Sequence, residues 1–228
     1  MRRGVHHGAA TQVDPTAIVL AGGAGSRIGC NKALLDLCGR PLLAWVLDSV
    51  SIVASHVVIV ASGENEAKTL RQVAGRDPVI VMDVLTGIGP LAGLWAGLDA
   101  APTDRCIVVG CDMPFLSAPL LSALASLDST SEIVVPRWAD TGELEPLCAA
   151  YSKTCVEPIR ALVAAGKRDV RAVFGLVRTS YMDESVWRVY DPDALSFFNV
   201  NTEAELQAAQ AIAGARLSGP PGKPGAAV

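Results

Sequence analysis

One stretch limits what this chain can become: Thr16-Ala-Ile-Val-Leu-Ala-Gly-Gly-Ala-Gly-Ser-Arg-Ile-Gly-Cys-Asn-Lys32. The apolar run Ala17 to Ala21 reads as a buried strand. It breaks into a loop holding Gly22, Gly23, Gly25 and Gly29. Glycines let backbone N–H groups approach a ligand closely and take up conformations with positive φ. Successive N–H groups pointing into one hollow form an anion site. Arg27 and Lys32 stand inside and just after this hollow. Backbone amides with an arginine and a lysine suit a triphosphate. A Walker loop would need Gly-Lys-Ser/Thr, but Lys32 follows Asn31 and precedes Ala33. A dinucleotide fingerprint would need a glycine where Ile28 stands, and an acid closing the next strand, which ends in Ala61-Ser62.

Length and composition bound the remaining choices. A chain of 228 residues makes one large domain or two small ones. Half of it is hydrophobic and 18% charged, enough for a core and too apolar for general disorder. A net charge of −4 argues against a general nucleic-acid binder, so anionic ligands need local positive potential. The cysteines at 30, 38, 106, 111, 148 and 155 form no Cys-x-x-Cys and no metal spacing, and reduced thiols in a cytoplasmic protein are the simplest account. Arg2-Arg3 is not followed by a signal-type helix. No run reaches the length of a membrane span.

Along the chain, residues 1–14 read as a flexible end, 15–213 as one domain, and 214–228 as a flexible Gly/Pro-rich tail. Strands are predicted over Ala17–Ala21, His56–Ala61, Pro78–Met82 and Cys106–Gly110. Helices are predicted after Pro41, over Glu64–Val73, from Gly89-Pro90 and from Ser117. Ala33–Leu37 reads as extended. This alternation means an α/β fold with a mostly parallel central sheet, a three-layer Rossmann-like architecture. In the second half, Glu132–Pro136, Glu145–Tyr151, Val177–Met182 and Trp187–Tyr190 read as strands. Thr154–Ala165 and Val170–Phe174 read as helical, and Arg137–Glu143 as a loop over the site. Thr202 and Glu205 form a capping box for a last helix.

Asp112 is the second fixed point. It follows an apolar strand, so it belongs at a carboxyl edge of the sheet, where open α/β sheets hold ligands. If that strand neighbours the first, Asp112 faces the triphosphate hollow and is placed to hold Mg²⁺. A turn carboxylate before Met113-Pro114 is the plainer alternative. No histidine stands in any of these motifs.

Leu20-Ala-Gly-Gly-x-x-Ser-Arg-Ile-Gly-x-x-Lys32, then Leu34-Leu35 and Gly39-Arg40-Pro41-Leu42-Leu43, resembles the signature of nucleoside-triphosphate transferases. With Gly-Pro-Leu-Ala-Gly93, Gly-Cys-Asp-Met-Pro-Phe-Leu116 and Phe198-Asn-Val-Asn-Thr202, the chain is most similar to molybdenum cofactor guanylyltransferases. The resemblance implies transfer of GMP from GTP to molybdopterin-bound molybdenum, with release of pyrophosphate. It implies nucleotide binding by Leu20, Ala21, Gly22, Gly23, Lys32, Asp83 and Asp112, catalysis by Arg27, Lys32 and Asp112, and Mg²⁺ on Asp112; Asp83 is equally readable as a solvated turn aspartate. It implies that Asn199 and Asn201 meet the pterin. Alternation in an extended segment puts these two on one face, away from the glycine loop if the site has two halves, with Phe198 and Val200 turned into the core; a mere turn residue before Thr202 is the plainer alternative for Asn201. Arg168, beside Lys167, either joins them or is a solvated turn residue. Further partners implied are other cofactor-biosynthesis proteins and recipient molybdoenzymes, with no nucleic acid and no membrane. Two departures bear on base choice: the family often has Asn near Ser62, and Asp where this chain has Asn31. A cytidylyltransferase, or a transferase acting on another phosphorylated metabolite, is the alternative. Rivals of other classes are a noncatalytic nucleotide binder and a nicotinamide oxidoreductase.

Overall fold

The structure, a computed structural model, describes residues 14–21, 31–74, 78–83, 89–128 and 130–218. The chain begins with β1 (Thr16–Leu20). After a 3-10 turn at Lys32–Leu34 comes a small hairpin of β2 (Asp36–Leu37) and β3 (Arg40–Pro41). Then follow α1 (Leu42–Val50), β4 (His56–Ala61), α2 (Glu64–Ala74), β5 (Val79–Met82), α3 (Pro90–Ala100) and β6 (Arg105–Gly110). The second half adds α4 (Ala118–Ser126), β7 (Ile133–Arg137), β8 (Cys148–Ser152), α5 (Val156–Ala164), β9 (Thr179–Asp183), α6 (Glu184–Trp187) and α7 (Glu203–Ser218).

Seven strands make one sheet in the order β5-β4-β1-β6-β8-β7-β9. Only β8 runs against the others in this sheet, pairing antiparallel with β6 and β7. β1 lies inside the sheet between β4 and β6, parallel to both. Side chains alternate across a strand, and β1 divides its residues between two cores. Ala17 and Val19 join the layer of α1, α2 and α4, while Ile18 and Leu20 join that of α3 and α5. Burial on both faces explains the unbroken apolar run.

α3 approaches β1 closely because its contact face lacks bulk. A Cβ at Gly97 would collide with Cγ2 of Ile18 and press within 3.1 Å of Val60. At Gly93 the nearest atoms would be 3.6 Å away, in ordinary contact. A third cluster joins Leu35, Leu37, Leu42, Phe115, Val200 and Leu206, docking α7 onto the hairpin and onto the chain after β6.

Three segments depart from the sequence expectation. Lys32–Leu34 is a 3-10 turn, because the Asn31 side chain caps it by accepting from Ala33 N at 2.9 Å. Trp187–Tyr190 is not a strand. Glu184–Trp187 is a short helix, extended by a Glu184–Arg188 pair at 2.6 Å, and Trp187 is buried edge-on to Trp138 and Phe197. An amphipathic pattern this short fits either period. The last helix runs on to Ser218, through Gly214 where the composition turns.

Gly97→Ala is expected to destabilise the protein by about 1–3 kcal/mol through overpacking. Gly93→Ala is expected to be neutral, or stabilising by about 0.5–1 kcal/mol through helix propensity. Urea denaturation of the two variants separates these outcomes.

Candidate active site

The order of the strands fixes where a ligand can sit. After β1 the chain adds β4 and β5 on one side, then crosses to β6 on the other. The carboxyl ends of β1 and β6 therefore flank a switch point, the crevice in which open α/β sheets bind ligands. Leu20 lies beside Gly110 in the register, and Cys111 N donates to Leu20 O at 3.1 Å. The segment bearing Asp112 thus leaves the sheet next to the segment that enters the glycine loop.

Asp112 is aimed by its neighbour. A Cβ at Gly110 would lie 2.6 Å from Asp112 Oδ1, so the carboxylate folds back over a position that must lack a side chain. The backbone oxygen of Asp112 accepts from Val200 N at 2.9 Å, which brings in the segment before α7. Lys32 completes the group from the first residue of its capped turn. Its Nζ donates to Asp112 Oδ2 at 3.1 Å and also to Asn201 Oδ1. The side chains of Lys32 and Asp112 are only 22% and 18% exposed, so this ion pair is shielded from bulk water. Three segments far apart in sequence meet on one ammonium group.

Asn201 is held at that group by the capping box. Glu205 Oε2 accepts from Asn201 N at 2.7 Å and from Thr202 N at 2.8 Å, while Glu205 N donates to Thr202 Oγ1 at 3.2 Å. The Asn201 amide holds the Glu205 carboxyl below its usual range, and Thr202 and the charge of Lys32 add to this. Phe198 and Val200 enter the third core cluster. Asn201 projects toward the lysine that ends the glycine loop, where the sequence suggests a direction away from it. The cause is the Val200–Asp112 bond, which lays the segment across the edge of β6. Asn199 turns back, its Nδ2 donating to Phe197 O at 3.0 Å.

The other candidates spread along the same edge. Leu20 and Ala21 end β1, with Ala21 N donating to Val60 O at 2.9 Å. Asp83 follows β5, its N donating to Ala61 O at 2.7 Å and its carboxylate reaching toward Gly93 on α3. Arg168 is exposed, and its backbone abuts Gly89 at the start of α3. Gly22, Gly23 and Arg27 lie outside the described residues. The Arg137–Glu143 loop stands at the carboxyl end of β7, anchored through Trp138 to Trp187 and Phe197.

Two carboxylates outside the predicted site residues support this arrangement. Glu205 is legible as a cap, but its bond to Asn201 N requires the fold. Glu66, in the first turn of α2, accepts from Asn31 and Ser62 and has no local signal. Cys111 adjoins Asp112 but is no nucleophile: burial raises its thiol far above the usual range, and the Asp112 charge raises it further. Burial likewise pushes Cys106 and Cys155 up to about 12. The one described histidine, His56, begins β4 at the opposite edge of the sheet.

A lysine and a carboxylate thus meet at the switch point, the lysine following a glycine-rich sequence. A family model described as the MobA-like NTP transferase domain matches residues 17–182. The chain is 35% identical over 206 residues to a molybdenum cofactor guanylyltransferase of Desulfosudis oleivorans, covering 89% of this chain and 98% of that one. It is 35% identical over 198 residues to a probable molybdenum cofactor guanylyltransferase of Pelotomaculum thermopropionicum, covering 87% and 93%. Among solved structures, molybdopterin-guanine dinucleotide biosynthesis protein A from Archaeoglobus fulgidus superposes with a TM-score of 0.76 at 28% identity, over 87% of this chain and 98% of that one. The chain belongs to the MobA-like NTP transferase family and is a nucleotidyltransferase.

Gly110→Ala is expected to push the Asp112 carboxylate off Lys32. Nucleotidyl transfer should fall at least about tenfold, a loss comparable to that of one charge-assisted hydrogen bond, with the circular dichroism spectrum retained. Unchanged transfer would mean that this alignment is irrelevant to the chemistry.

Proposed function

We propose that this chain transfers GMP from GTP to the terminal phosphate of molybdopterin-bound molybdenum, forming the guanine dinucleotide cofactor and pyrophosphate. The observation that carries the reading is the meeting of Lys32, Asp112 and Asn201 at the β1–β6 switch point. The names of the relatives favour guanine over cytosine. In the reaction, a phosphate oxygen of the pterin substrate attacks the α-phosphorus of GTP. A P–O bond forms there, the bond to the β-phosphate oxygen breaks, and pyrophosphate leaves with that electron pair. The attacking monoester has a second pKa of about 6, so at neutral pH it is mostly dianionic and needs no general base. This matches a site with no described histidine and no reactive thiol.

The difficulty is then charge. Lys32 supplies a fixed cation at the phosphates, and Arg27 a second from within the loop. Lys32 pairs with Asp112. When polyphosphate enters, the ammonium turns to the phosphate oxygens and Asp112 becomes available to a cation. Among the described residues no cluster of three or more His, Cys, Asp or Glu could hold a metal. One carboxylate, with phosphate oxygens and water completing the shell, fits Mg²⁺. Bound there, Mg²⁺ would neutralise charge developing on the transferring and departing phosphates. Asp83, at the end of β5, accepts the paired N–H donors of the guanine edge. Asn199 and Asn201 serve the pterin side, with Asn201 also steadying Lys32. Arg168 is the candidate for the pterin phosphate.

Pyrophosphate release measured with each of the four nucleoside triphosphates, with and without molybdopterin-bound molybdenum, tests the proposal. Release is expected with GTP and only with the pterin substrate present. Release with CTP instead would make the chain a cytidylyltransferase. Asp112→Asn should lower the rate about a hundredfold or more by removing a metal ligand, and near-normal turnover would refute the metal role.

A further inference from the structure

Asn31, just before Lys32, and Ser62, just after β4, meet on one carboxylate. Glu66 Oε1 accepts from Asn31 Nδ2 at 2.5 Å. Glu66 Oε2 accepts from Ser62 N and from Ser62 Oγ, each at 2.5 Å. Asn31 is committed on its other side as well, because its Oδ1 accepts from Ala33 N at 2.9 Å and so caps the turn that starts with Lys32. A continuous chain of contacts therefore runs from the end of β4, through Glu66 and Asn31, to the lysine between Asp112 and Asn201.

We propose that Glu66 is a positioning residue, a latch that ties the exit of the glycine loop to the edge of β4 and thereby sets where Lys32 presents its charge to the triphosphate. The role as positioning rests on the nucleotide-transfer reading; the latch itself does not. Its logic lies in the polarity of the contacts. Three donors converge on the two oxygens of Glu66. With Oδ1 of Asn31 bound to Ala33 N, only the amide nitrogen can face Glu66. The loop exit is held only where a full acceptor stands at position 66. A carboxylate supplies two acceptors, and a glutamine only one.

That polarity gives a decisive substitution pair. In Glu66→Gln, an oxygen kept toward Ser62 turns the new NH2 against the NH2 of Asn31, donor against donor. Adding Asn31→Asp reverses the second partner. The introduced glutamine would then donate to the introduced aspartate, whose other oxygen still accepts from Ala33 N, and the Ser62 bonds are unchanged. Asn31→Asp alone would set two carboxylates face to face.

The latch is read first without substrate, as hydrogen exchange of the Ala33 amide by NMR, and then as GTP affinity by calorimetry. Glu66→Gln is expected to speed the exchange about tenfold and to weaken GTP binding about tenfold, as an unsatisfied donor in a shielded site does. The double variant Asn31→Asp, Glu66→Gln should bring both within about threefold of the parent. In a Lys32→Ala background, Glu66→Gln should cost no further GTP affinity; a merely structural role would still cost it. Unchanged exchange in Glu66→Gln, or a double variant no better than the single one, overturns the latch. Faster exchange with full GTP affinity overturns its role in positioning Lys32. A parent protein that bound no GTP would refute the function proposed above and with it that role, while the exchange data would still decide the latch.

Discussion

The site depends on one ammonium group. Lys32 Nζ is shared by the carboxylate of Asp112 and the amide oxygen of Asn201, in surroundings mostly closed to water. A shielded ion pair is weak evidence for stability, because desolvation offsets much of the attraction. Its value here lies in geometry. The pair holds together the exit of the glycine loop, the edge of β6 and the approach to α7, and it sets a cation beside an anion at the switch point of the sheet, where the proposed function places the polyphosphate. Under the proposed function, both charges are already at the switch point before substrate enters, and only their partners change when it does.

The scaffold makes that placement reliable. β1 is sealed on both faces, with its side chains divided between two cores. α3 reaches it through Gly97, and the third cluster fastens α7 to the hairpin and to Phe115. Phe115 and Val200 anchor the two segments that carry Asp112 and Asn201. The side chains of the candidate site therefore sit close to packed elements, where side-chain placement is most exact.

Much of this was legible in the sequence. Strands buried on both faces announce themselves as apolar runs, and β4 matches its expected bounds, His56–Ala61. The Thr202–Glu205 cap was legible because its geometry is local. What could not be read depends on contacts between distant segments. The direction of Asn201 follows from a bond between Val200 and Asp112, and no spacing encodes it. The turn at Lys32–Leu34 hides in an apolar run because its cap is the Asn31 side chain. Glu66 looks like any acid in the first turn of a helix until Asn31 and Ser62 are seen to converge on it. Trp187 misleads because a four-residue helix is too short to show its period.

The most direct test is a crystal structure with a non-hydrolysable GTP analogue and Mg²⁺. The triphosphate is expected at the carboxyl ends of β1 and β6, with Lys32 Nζ within hydrogen-bond distance of phosphate oxygens and Asp112 released from the lysine onto the metal. A triphosphate bound elsewhere, with the Lys32–Asp112 pair intact beneath it, would contradict this assignment of the site.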